Sequence, residues 1–81
     1  MNSRSPFFIE CYVNYRIEIY KIIYSKLRDR HSTEDLTQEV FYRFILNLHR
    51  IEIETAKRWL LAAAKNILLE LYPYSNVHLK T

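Results

Sequence analysis

The chain has 81 residues, 49% of them apolar and 15% aromatic, with a formal charge of +3 and no glycine. That length gives one small domain with a single modest core and little stability to spare. Cys11 is the only cysteine, which excludes an internal disulfide and a cysteine-based metal cluster.

The two prolines stand at positions 6 and 73, so the interior lacks the usual strand-turn punctuation and the expected class is all-α. No apolar run approaches the roughly 18 residues of a membrane span, and no signal-peptide apolar region with a small-residue cleavage site opens the chain. The expected location is therefore the cytoplasm, with no membrane partner. A charge of +3 is compatible with nucleic acid without indicating it, so the distribution of charge matters more than its sum.

The first predicted helix runs from Pro6, which suits a first helical turn, to about Arg30. Phe8, Tyr12, Tyr15, Ile19, Ile23 and Leu27 recur at spacings of three and four. A second row, Ile9, Val13, Ile17, Tyr20 and Tyr24, widens the stripe beyond what one helix covers, implying two neighbours or a partner protein. Cys11 reads as a small apolar residue on this helix. Lys26, Arg28, Arg30 and His31 form a basic cluster at its end, where cations complement the helix dipole.

Ser32 or Thr33 is the expected N-cap of a second helix, with Glu34 and Asp35 in its first turn and an end near Leu48. Its apolar stripe is Leu36, Val40, Phe41, Phe44, Ile45 and Leu48. On the other side Asp35, Gln38, Glu39 and Tyr42 recur at the same period, and by periodicity alone that row is either a solvated face or a docking face.

From His49 to Thr55 the period breaks: Ile51 and Ile53 alternate with Glu52 and Glu54, as in a short extended loop. Thr55 is placed to cap a third helix from Ala56 to about Tyr72. There Trp59, Leu60, Ala63, Ile67, Leu68 and Leu71 are expected inward, and Lys57, Arg58, Lys65, Asn66 and Glu70 outward. Pro73 ends it, and Tyr74 to Thr81 has no periodicity. The domain is thus read as residues 1–81, with a core of about 7–72 and a tail of 73–81.

Chemistry-bearing patterns are lacking. His31, His49 and His78 are scattered without metal-ligand spacing and read as surface residues. There is no nucleophile with a matched base and no phosphate-cradling glycine loop, so the chain reads as a non-enzyme needing no metal or cofactor.

Two motifs stand out: acidic-Asp-Leu-x-Gln-Glu-x-Phe over Glu34 to Phe41, then Trp-Leu-x-x-x-Ala-Lys-Asn over Trp59 to Asn66. Together, in this order and at this separation, they resemble region 2 of the sigma-70 family, in its extracytoplasmic-function type. The resemblance covers roughly residues 7 to 72, the first helix by pattern only. It implies a compact three-helix module that binds the clamp coiled coil of core bacterial RNA polymerase and helps open promoter DNA. It further implies that Asp35, Gln38, Glu39 and Tyr42 form the polymerase contact. Lys57, Arg58, Lys65 and Asn66 would meet DNA, the loop before Trp59 being where the family captures a flipped base of the −10 element. An anti-sigma factor is a further partner the resemblance allows.

The sequence also departs from the family. Glu52 and Glu54 in the short base-capture loop would repel phosphate, and Tyr72-Pro73-Tyr74-Ser75 stands where the family usually has a basic run. The helix-turn-helix domain that reads the −35 element is not in this sequence. The chain is then a fragment, or a stand-alone region 2 acting with a second sigma chain that supplies that domain, as in two-part sigma factors. The alternative is a three-helix interaction adaptor that binds polymerase or another protein without touching promoter DNA.

Overall fold

A computed structural model describes residues 5–73. Three helices pack around one core: α1 (Ser5–Leu27), α2 (Arg30–Leu46) and α3 (Ala56–Leu71), with 3₁₀ turns at Leu48–Arg50 and Ile53–Thr55 between the last two. All three pairs of helices are in contact, as the all-α reading expects.

Phe44, fully buried, is the centre of the core. Its ring meets Phe7 at 6.0 Å and Phe8 at 6.1 Å from α1, and Trp59 at 5.6 Å from α3. One aromatic side chain therefore binds all three helices, and such ring pairs add to the burial of apolar area. Ile19 and Ile23 of α1 and Val40 of α2 close the core on one side; Ala56, Ala63 and Ala64 let α3 approach closely around Leu60 and Ile67. Thr33 and Thr37 are buried too, and their hydroxyls donate to the carbonyls of Asp29 and Thr33 at 2.6 and 2.7 Å. That satisfies groups that would otherwise be costly to bury.

The α1–α2 junction departs from expectation. α1 ends at Leu27, and Arg28 takes a left-handed conformation, φ 56°, where helices usually recruit glycine. Asp29, extended, is the N-cap: its Oδ2 accepts from the Ser32 N–H at 2.8 Å. Ser32 and Thr33 lie inside the first turn instead of capping it. Arg30 and His31 consequently open α2 rather than closing α1, and pair one turn on with Glu34 at 3.7 Å and Asp35 at 3.6 Å. Only Lys26 of the basic cluster sits in the last turn of α1.

Several apolar expectations need correction. Ile45 is about half exposed and Leu71 more so, each standing at the C-terminal end of its helix, where fewer neighbouring turns cover it. On α1, Ile19 and Ile23 are buried while Tyr12 is exposed; the second row, Ile9, Val13, Ile17 and Tyr24, faces outward, with Tyr20 half-buried. α2 stops at Leu46, where Asn47 donates from Nδ2 to the Arg43 carbonyl at 2.8 Å. The following segment is two 3₁₀ turns, extended only around Ile51 and Glu52, and it is held down by buried Leu48 and Ile51. Thr55 occupies the N-cap position of α3 without capping; its hydroxyl donates to the Glu52 carbonyl at 3.3 Å. α3 ends at Leu71, one residue short of the expected Tyr72. The expectations for Tyr74 to Thr81, His78 included, lie outside the described residues.

Candidate functional site

The outer face of α2 is fixed by its inner one. With Leu36, Val40, Phe41 and Phe44 locked in the core, the helical period directs Asp35, Gln38, Glu39 and Tyr42 to one continuous solvent-facing strip. Asp35, Gln38 and Tyr42 are exposed and Glu39 is half-buried. The strip ends in two exposed apolar residues, Ile45 and Leu46, which sequence reasoning did not assign to it. Their signal was present, since they follow Tyr42 by three and four residues. The face is thus acidic and amide-bearing at one end and apolar at the other, on a continuous helical backbone.

Arg43 was also missed. Its Nε donates to Glu39 Oε2 at 3.1 Å, and its Nη1 and Nη2 donate to the two carboxylate oxygens of Glu70 on α3 at 3.2 and 3.1 Å. The fork raises the already high pKa of Arg43, through Glu70 first and Glu39 second, and holds the Glu70 carboxyl below its ordinary range.

The four candidate DNA residues do not share one surface. Lys57 turns toward α1, its Nζ 3.5 Å from Glu18 Oε1. Arg58 and Lys65 are both exposed, and seven residues or about two turns apart they stand on one face of α3. Asn66 points to the other flank, into an open cleft of about 260 Å³ that it lines with Arg43, Leu46, Trp59, Ala62 and Glu70. A second concavity, of about 370 Å³, is lined by His49 to Glu54, so Glu52 and Glu54 sit at the loop expected to receive a base.

Cys11 is buried, and burial, with Glu10 nearby, pushes its thiol up, away from the reactive thiolate. Among the described residues no cluster of His, Cys, Asp and Glu could hold a metal ion, and no helix is long and apolar enough to cross a membrane.

Fold and surface together define an all-helical domain, with an exposed acidic and amide-bearing strip on its second helix and exposed basic and amide side chains on its third. A family model described as Sigma-70 region 2 matches residues 11–72, and the chain belongs to that family. It is 33% identical over 61 residues to the ECF RNA polymerase sigma factor SigM of Bacillus subtilis (strain 168), a match covering 75% of this chain and 37% of that protein. It is 31% identical over 62 residues to the ECF RNA polymerase sigma factor SigX of the same strain, covering 75% and 32%. The chain thus spans about a third of the length of these curated relatives. No solved structure matches it significantly.

Proposed function

We propose that this domain is a non-enzymatic transcription-initiation module that binds core RNA polymerase, in the cytoplasm, through Asp35, Gln38, Glu39 and Tyr42. The observation that carries the reading is the strip itself: charged, amide and aromatic side chains in one line on a helix whose opposite face is fully committed to the core. Carboxylates presented this way make charge-assisted hydrogen bonds to arginines on a partner helix, the surface that the clamp coiled coil offers in the family resemblance. Tyr42 adds an aromatic anchor, and Ile45 and Leu46 an apolar end.

On the DNA side, α3 and the loop before it assist opening of the −10 element. Arg58 and Lys65 neutralise phosphates, and Asn66 lends hydrogen bonds to an unstacked base. Recognition of the −35 element comes from a helix-turn-helix segment outside these 81 residues, in a second sigma chain or in a longer protein. An anti-sigma factor regulates by covering the same strip.

The second reading, an adaptor that binds polymerase without contacting DNA, is favoured by two observations: Lys57 is engaged by Glu18, and Glu52 and Glu54 flank the loop concavity. A reconstituted transcription assay separates the two. Core polymerase with this chain and a −35-reading partner gives promoter-specific initiation if the first reading holds. Firm polymerase binding with no initiation under any pairing selects the adaptor, and specific initiation by this chain and core polymerase alone contradicts the need for a partner.

A further inference from the structure

The fork of Arg43 faces a cleft, and its geometry suits more than a carboxylate. A guanidinium offers two parallel N–H donors that match a phosphate as well as they match Glu70. Here the third donor, Nε, is anchored to Glu39 one turn earlier on the same helix, so Nη1 and Nη2 are held outward even when Glu70 leaves. The Arg43–Glu70 pair is only partly shielded, with side chains 36% and 52% exposed, and such pairs exchange partners at little cost. Packing does not depend on it either, since Phe44 and Trp59 already join α2 to α3 beneath it. Beside the fork the cleft carries the indole of Trp59 and the amide of Asn66, the two kinds of group that take an unstacked base by face and by edge.

We infer that Arg43 is a backbone-phosphate site for single-stranded DNA, and that in the free domain Glu70 fills it as a stand-in anion. The inference rests on the DNA side of the proposed function and adds a residue and a self-blocking contact to it. Glu70 swings to solvent, the phosphate takes Nη1 and Nη2, and Glu39 keeps the guanidinium aimed.

The test uses the 81-residue chain and a fluorescein-labelled, AT-rich single-stranded 12-mer, titrated by fluorescence anisotropy over a salt series, with helicity of every variant checked by circular dichroism. Glu70→Gln is expected to tighten binding about fivefold near 0.1 M salt, and to steepen the log–log salt slope by about 0.7, the signature of one added single-strand phosphate contact. With Arg43→Gln present the gain disappears; with Arg43→Lys, which keeps the charge but not the fork, it shrinks. Unchanged or weaker binding by Glu70→Gln overturns the inference, as does an equal gain when Arg43 is already Gln, which assigns the effect to net charge. Arg58→Gln with Lys65→Gln keeps the two levels apart. If that pair weakens binding while Glu70→Gln does not strengthen it, the DNA reading stands and the fork assignment falls; if neither changes binding, both fall.

Discussion

Arg43 and Glu70, 27 residues apart, form a two-pronged contact that ties the last turn of α2 to the last turn of α3, each prong 3.1 to 3.2 Å long. Both side chains are partly exposed, so the pair adds little to stability despite its geometry. Glu70→Gln should leave the midpoint of a urea denaturation close to that of the wild type, as loss of an exposed ion pair does. A large drop means that the helices depend on this contact and not on the aromatic core below it.

Acid should weaken the domain in a defined window. Hydrogen bonds from Ser32, its side chain first and its backbone N–H second, lower the Asp29 pKa, and Arg43 lowers that of Glu70. A carboxyl depressed in the folded state contributes stability that is present above its unfolded pKa of about 4 and is lost as pH falls through the folded value. Asp29→Asn and Glu70→Gln should each flatten the fall in midpoint as pH drops below about 5. A limb as steep as wild type in the double variant means that other carboxylates carry the acid sensitivity.

Phe44 is the side chain whose loss should hurt most. Phe44→Ala removes ring contacts to Phe7, Phe8, Phe41 and Trp59 and is expected to cost about 3 to 5 kcal/mol, much of what a domain of this size has. Trp59, half-buried at the cleft, should cost less, near the lower end of that range. Denaturant midpoints give the ranking, and an equal or reversed order places the energetic centre of the core on α3.

Arg28 is a residue the domain should be glad to lose. A side chain with a Cβ at φ 56° costs roughly 1 kcal/mol, and glycine does not. Arg28→Gly should raise stability by up to about 0.5 kcal/mol once the extra freedom of glycine in the unfolded chain, about 0.4 to 1 kcal/mol, is subtracted. Destabilisation instead indicates that the Arg28 side chain has a contact worth more than the strain.

How legible this was depended on what kind of signal each residue carried. Periodicity located all three helices and the core residues Leu36, Val40, Phe44, Leu60 and Ile67, because burial on one face repeats every three or four residues. It missed the exposure of Ile45 and Leu71, since an apolar residue at the end of a helix reads like one at its centre. The α1–α2 boundary slipped because a chain without glycine gave no stop signal, and three residue types suited to capping, at 29, 32 and 33, lay close together. The strip on α2 was readable as a row, but Arg43 was not: its partner Glu70 is distant in sequence, and only the packing of α2 on α3 brings them together. The separation of Lys57 from Arg58 and Lys65 was likewise invisible until Glu18 was placed beside it.

The central claim is that the α2 strip is the polymerase-binding face, and co-purification with core RNA polymerase tests it most directly. The expected result is that the wild-type chain is retained and that Asp35→Ala with Glu39→Ala is lost from the complex while its circular dichroism spectrum stays helical. Removing one buried charged partner at such an interface costs about 2 to 5 kcal/mol, so the double change should reduce affinity by well over an order of magnitude. Undiminished retention of the helical double variant would contradict the account.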